Sequence, residues 1–306
     1  MQTSSQLYRP GSFPFSLEAM ASRVEPTRIL MVSPEFFDII DVKNVHMAGH
    51  LGRTDRKKAF AQWYSLKDIY ESLVKEGILD EVFVINGTEG CEDMVFAANQ
   101  SFPWISTTGN KQVVLSKMRH SSRQREVPAF RDFYTSGKYE LLELQQARLF
   151  EGMGDAIPLP GRRLLFGGFG HRSDLNALEE LSSTLNTPVI ALELINDKFY
   201  HLDTCFIPLD TNTVLLYPGA FRPDDLAGLG KLFKNVIEIP LEEAEKGFSL
   251  NAHCINNPNG RAAIIHEGNP YTCKVLEENG FKVYTTDTSE YIKSGGSVFC
   301  MKMMWY

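Results

Sequence analysis

The stretch RLLFGGFGHRSDLNALEELSSTLNTPVIALEL, Arg163 to Leu194, decides the fold. Its first eight residues read as an apolar strand. SDLNALEELSSTLN follows as an amphipathic helix opened by Ser173 or Asp174 as N-cap, and PVIALEL as a second strand. A strand, a glycine-rich turn and a helix invite comparison with a dinucleotide-binding sheet. GGFGHRSD lacks the third glycine of that fingerprint and its downstream spacing, and the hairpins around it are too many for a doubly wound sheet.

The same grammar extends in both directions. Downstream, FYHLDTCFIPLDTNTVLLYPGAF reads as a hairpin turning at Asp210-Thr211-Asn212, then RPDDLAGLGKLF as a helix and VIEIP as a strand. LNAHCINNPNGRAAIIHEG is another hairpin turning at Asn259-Gly260, followed by helix PYTCKVLEENG, strand FKVYTTD and a last strand, GGSVFCMKMMW. Upstream, RILMVSP, helix KKAFAQWYSLKDIYESLVKEG and DEVFVI precede paired strands DMVFAANQSFPWI and KQVVLSKM around Gly109-Asn110. A strand pair, a helix and a further strand recur about five times. The pattern predicts an α/β protein with one domain of ββαβ-like units over 28–306, after a loose polar arm over 1–27.

Composition narrows the function. Of 306 residues, 43% are hydrophobic and 23% charged, as in a soluble globular protein. The net charge of −7 and the absence of a long basic stripe argue against nucleic acid. No apolar run reaches the roughly 20 residues that span a bilayer, and the arm lacks a signal peptide's apolar segment. Five cysteines without CxxC spacing imply neither a disulfide framework nor a zinc site, so a cytoplasmic protein with reduced thiols is expected. His46 and His50 have i,i+4 spacing without a third ligand nearby, and no metal or cofactor is expected.

Four polar clusters need explaining. His201 and Asp203, read as neighbours on one strand face, are either a hydrogen-bonded core pair or an acid–base pair. Glu151 and Asp155 lie in the glycine-interrupted EGMGD, either an exposed acidic turn or a holder of a cation or guanidinium. Asn99 ends a strand begun by Asp93, beside the small Ala97 and Ala98. Cys300 follows Gly295-Gly296, either as a small buried hydrophobe or, with a histidine elsewhere, as a nucleophile.

Taken in order, FAAN, EGMGD, GHRSD, HLDT and the late GGSVFC resemble the guanidino-group-modifying superfamily of arginine deiminases, dimethylargininases and amidinotransferases. VKNVHMAGH, EDMVFAANQ, SSRQRE, EGMGDA, FYHLDTCF and SGGSVFCM look most like the arginine dihydrolases, here as a stand-alone chain. The resemblance covers nearly everything from Arg28 onward. It implies the pentein fold, a five-bladed α/β propeller, and Cys300 as nucleophile with His201 as general acid/base. Asp155 and Asp203 match carboxylates that hold the guanidinium and orient the histidine, with Glu151 their neighbour. Asn44 and Asn99 match side chains of the dihydrolase pocket, and Arg123 and Arg172 the arginines that grip the substrate's α-carboxylate. The implied partner is a small guanidine, arginine first, and a homo-oligomer is compatible with it. Deiminases carry aspartate where this chain has Asn99, so the expectation is dihydrolase ahead of deiminase, amidinotransferase, dimethylargininase or a catalytically silent binding module.

Overall fold

The computed structural model describes residues 6–306, which form two compact units. The first holds residues up to Glu25, Asn99–Glu238 and Tyr306; the second holds Pro26–Ala98 and Ile239–Trp305.

Every sheet follows one plan: a first strand antiparallel to a second, which is parallel to a third reached through a helix. A parallel neighbour requires such a crossover, whereas the antiparallel pair needs only a short link. In the first unit, Ser101–Ile105, Lys111–Leu115 and Glu140–Leu142 form one sheet. Ala156–Pro158, Leu165–Phe169 and Val189–Glu193 form the next, crossing over through the helix Leu175–Leu185. Phe206–Pro208, Thr213–Leu216 and Asn235–Glu238 form the third. In the second unit, His253–Asn257, Gly260–His266 and Lys282–Thr286 repeat the plan. The last sheet is assembled from both ends of the chain: Met303–Trp305 is antiparallel to Arg28–Val32, which is parallel to Glu81–Ile85.

The opening stretch now has a physical account. Val189–Leu192 and Leu165–Gly168 are buried, which explains their unbroken apolar runs. The helix Leu175–Leu185 turns Ala177, Leu178, Leu181 and Leu185 inward. Gly167 lets that helix approach: a Cβ there would lie 2.7 Å from the Leu178 methyls. On the other face of the strand, a Cβ on Gly168 would meet Leu202 Cβ at 2.8 Å and Asp155 Oδ1 at 2.9 Å. These are packing glycines, one for the helix and one for the polar cluster.

Two expectations are corrected. The arm is docked from Gln6 onward, residues 1–5 lying outside the described residues. Leu7–Tyr8 adds to the sheet beside Val189–Ile190, Arg9 pairs with Asp225, and Leu17 is buried. The motifs FAANQ, HLDT and GGSVFC, read as parts of strands, lie instead in short turns before a module's first strand, as does EGMGD, which the sequence already gives as a turn. Asp93–Gln100 is turn, Gly152–Gly154 and Leu202–Thr204 are single 3-10 turns, and Cys300 precedes rather than occupies the last strand.

The cap on Leu175–Leu185 yields a test. Asp174 accepts the Ala177 N–H at 2.8 Å and, with its other oxygen, the N–H groups of Arg148 and Leu149. Asp174→Ala removes a side-chain acceptor from three backbone donors, the Ala177 N–H keeping the Asp174 carbonyl at 3.1 Å, and should cost about 1–2 kcal/mol of unfolding free energy in a urea titration. A loss below about 0.5 kcal/mol would contradict this role.

Candidate active site

In the first unit, the turns before neighbouring first strands bring charged groups together. His201 caps the 3-10 turn Leu202–Thr204, and Glu151 and Asp155 flank the turn Gly152–Gly154. All are buried. His201 Nε2 lies 2.8 Å from Glu151 Oε2, the same oxygen that accepts from Arg172 Nη1 at 3.1 Å. Glu151 Oε1 accepts the Arg119 N–H at 2.9 Å. Arg172 in turn lies over the Tyr200 ring, 4.6 Å from its centroid. Glu151, treated in the sequence only as a neighbour, is therefore the carboxylate bonded to the histidine.

Asp155 is engaged differently. Its Oδ2 accepts from Ser173 Oγ at 2.7 Å and its Oδ1 from the Leu202 N–H at 3.1 Å, so it braces the turn that carries His201. Ser173, expected only as a cap, also accepts the Glu151 N–H at 3.0 Å. Asp203 is buried on the same 3-10 turn as Leu202, not beside His201 on a strand face.

The electrostatics separate these groups. Burial opposes the charge on Glu151, but Arg172, the His201 hydrogen bond and Arg123 together hold its carboxyl well below the usual range. Burial pushes Asp155 well above its ordinary value, with Glu151 and Asp203 adding to the rise. Burial lowers His201 to about 4, outweighing the pull of Glu151, with the Arg172 and Arg123 cations adding to the fall. At neutral pH the pair is an imidazole beside a carboxylate. Nε2 carries the proton toward Glu151, and Nδ1 keeps the basic lone pair.

Asn99 sits two residues before the strand Ser101–Ile105 and is buried. Its Oδ1 accepts from Arg123 Nη1 at 2.9 Å, and Arg123 is paired with Glu126. A guanidinium only donates, so the amide orientation is determined. Asn99 Nδ2 has no hydrogen-bond partner among the described residues. It lies against Gly154, where a Cβ would come within 2.4 Å of Nδ2 and 3.2 Å of the His201 ring. Gly154 keeps the amide next to the histidine.

In the second unit, Cys300 is buried in the turn before Met303–Trp305. Gly295 takes a left-handed φ of 84°, and a Cβ on Gly296 would meet the Phe96 ring at 2.4 Å. Asn44 Nδ2 donates to the Ser294 carbonyl at 2.9 Å, while its Oδ1 caps Val45–Met47. Lys43 pairs with Glu92 and Asp93, and Asp93 accepts from Ser294 Oγ at 3.2 Å. Asn44 thus supports the turn that carries Cys300.

One contact of that turn was missed. Asn251 Nδ2 lies 3.2 Å from Cys300 Sγ. A signal existed: Asn251 stands two residues before the first strand of its module, as Asn99 does in its own. Among the described residues no group of three or more His, Cys, Asp or Glu side chains gathers as a metal site, and no helix is long and apolar enough to cross a membrane.

Residues 46–305 match the sequence profile of the family described as N,N dimethylarginine dimethylhydrolase, eukaryotic. The chain belongs to this family. It is 31% identical to the N(G),N(G)-dimethylarginine dimethylaminohydrolase of Mycobacterium tuberculosis, over 89% of this chain and 84% of that protein. It is 32% identical to the bifunctional arginine dihydrolase/ornithine cyclodeaminase ArgZ of Synechocystis sp., over 90% of this chain but 37% of that longer protein. The N-terminal domain of ArgZ, solved with a covalently bonded reaction intermediate, superposes with a TM-score of 0.81 at 31% identity, covering 90% of this chain and 97% of that domain. The five ββαβ modules are those of the pentein fold that the family shares.

The neutral His201 makes stability pH-dependent. A base whose folded pKa lies below its unfolded value of 6.5 is neutral in the native state, while the unfolded chain takes up a proton. Its contribution is therefore present above pH 6.5 and is lost as pH falls toward 4. The loss is roughly 3 kcal/mol over that window. Denaturant titrations at pH 7 and pH 4.5 should show a smaller acid-induced loss for His201→Asn than for the unaltered chain. Equal losses would mean that His201 is not buried as the neutral base.

Proposed function

We propose that this protein is an arginine dihydrolase, converting arginine and two waters to ornithine, carbon dioxide and two ammonia through a covalent adduct on Cys300. The observation that carries this reading is the Asn99 amide, whose oxygen is committed to Arg123 and whose NH₂ is presented, without a partner, beside His201. The covalent intermediate held by the ArgZ domain supports the adduct.

In this reading Cys300 attacks the guanidinium carbon. The thiol proton passes to His201, which is neutral at rest. Glu151 stabilises the imidazolium as it forms, and His201 returns the proton to the departing ammonia. Water then attacks the thiouronium carbon. His201 removes the water's proton and the thiolate departs, leaving a ureido group. Asp203 is assigned to the guanidinium, while Asp155 braces the His201 turn and Asn44 supports the Cys300 turn. Arg123 and Arg172, paired with Glu126 and Glu151, are assigned to the substrate's α-carboxylate.

A ureido oxygen is an acceptor. The NH₂ of Asn99 holds it for a second round of attack, which releases the second ammonia and carbon dioxide. Aspartate at 99 would pair with Arg123 and oppose that oxygen with another acceptor. The difference amounts to about 1–3 kcal/mol, or about 5- to 150-fold in partitioning.

A second reading, a hydrolase that stops at citrulline, is favoured by the family's dimethylarginine name and by the Mycobacterium tuberculosis relative. Incubation with L-arginine and with dimethylarginine, resolving amino acids and ammonia, separates the two. Ornithine with two ammonia per arginine is expected, with no turnover by Cys300→Ser. Asn99→Asp should raise the citrulline share at least fivefold, and an unchanged ornithine yield would contradict the role of Asn99. Citrulline as sole product of the unaltered enzyme supports the second reading. Activity only with an added amine acceptor would indicate amidinotransfer, and no turnover of any guanidine would leave a binding module.

A further inference from the structure

The turn carrying Cys300 is held largely by one residue outside it. Asn251 is fully buried and ends the 3-10 turn Ser249–Asn251, which is entered through Phe248 at a left-handed φ of 45°. Its Oδ1 accepts the Ser297 N–H at 2.9 Å and the Cys300 N–H at 3.3 Å, and its backbone carbonyl accepts the Phe299 N–H at 2.8 Å. Two backbone N–H groups on Oδ1 leave the amide only one orientation, with its NH₂ toward the sulfur, 3.2 Å away.

We infer that Asn251 is a positioning residue for the Cys300 nucleophile, its two oxygens holding the turn and its Nδ2 donating to the sulfur. The inference rests on the proposed role of Cys300. A hydrogen bond to an ionised acceptor is roughly twice as strong as one to a neutral acceptor, so this donor favours thiolate over thiol. It also limits the sulfur's rotation. When the S–C bond forms, the charge leaves the sulfur and the extra stabilisation is lost, so the donor raises the thiolate population at some cost in nucleophilicity.

Asn251→Asp separates the two parts of the role. A carboxylate keeps an acceptor for Ser297 and Cys300 but turns an oxygen, not a donor, toward the sulfur. The readout is the pH dependence of alkylation by iodoacetamide, followed at each thiol by peptide mass, with half-buried Cys273 as internal reference. The Cys300 midpoint should rise by at least one pH unit, and its rate at pH 7.5 should fall about tenfold or more, while Cys273 is unaffected. An unchanged Cys300 midpoint overturns the inference.

Because the variant also stresses the turn, a second measurement uses the unaltered protein. The Asn251 side-chain amide resonance of ¹⁵N-labelled protein should titrate with the Cys300 alkylation midpoint and should not titrate in Cys300→Ser. A resonance that ignores the thiol overturns the donor role. Turnover of arginine by Cys300→Ser would instead overturn the nucleophile itself, and it is read in products rather than in either titration.

Discussion

A carboxylate removed from water stays ionised only where cations and donors converge on it, and Glu151 is where the first unit meets that requirement. Arg172, His201 and the Arg119 N–H share its two oxygens. Remove that anion and two neighbours lose their assignments: His201 loses the partner that selects its tautomer, and Arg172 becomes a buried cation beside an aromatic ring. Burial, with the same anion adding to it, pushes Asp155 upward, so two carboxyls a few residues apart acquire opposite characters. One holds charge; the other ties the Ser173 hydroxyl and the Leu202 N–H into a brace.

The fold makes this possible through a recurrent detail. Each module begins with a short strand, and the residues just before it form a turn whose backbone is not committed to a ladder. Side chains there face the interior without forfeiting sheet hydrogen bonds, and short 3-10 turns let capping atoms double as chemical groups. Glu151, His201, Asn99, Asn251 and Cys300 all occupy such positions. The last sheet applies the same rule across the ends of the sequence. Met303–Trp305 pairs with Arg28–Val32, and this pairing orders the turn that holds Cys300 a few residues from the final Tyr306.

Most of the regular structure was legible because it rests on local period. The helix Leu175–Leu185 repeats its apolar residues every three to four positions and opens with a cap, and the central strands are continuous apolar runs. Three of the polar motifs were misread because their flanks are apolar too: FYHLDTCF and GGSVFCMK look like strand from composition, while a 3-10 turn in the first and the left-handed Gly295 at the start of the second break the extended backbone. Cys300, His201 and Asn99 were singled out by resemblance. The pairing of His201 with Glu151 rather than Asp203 was not, since it depends on which turns the sheets bring side by side. Nor was Asn251, whose value lies wholly in a turn 46 residues away.

Asn99 and Asn251 follow one design. Each stands two residues before its module's first strand, and each has its oxygen occupied by groups that can only donate: a guanidinium at one, two backbone N–H groups at the other. An amide clamped at its oxygen is an oriented NH₂, a donor that carries no charge and does not titrate. Lysine or arginine in either place would bring a buried charge where the amide brings none, and a hydroxyl would turn as readily to accept as to donate. Aspartate would keep the clamp and reverse the sign of what is presented. The proposed chemistry asks for a donor toward sulfur at one position and toward a carbonyl-like oxygen at the other. Asparagine is the short side chain that meets both demands while leaving the charge balance to Glu151, Arg172 and His201.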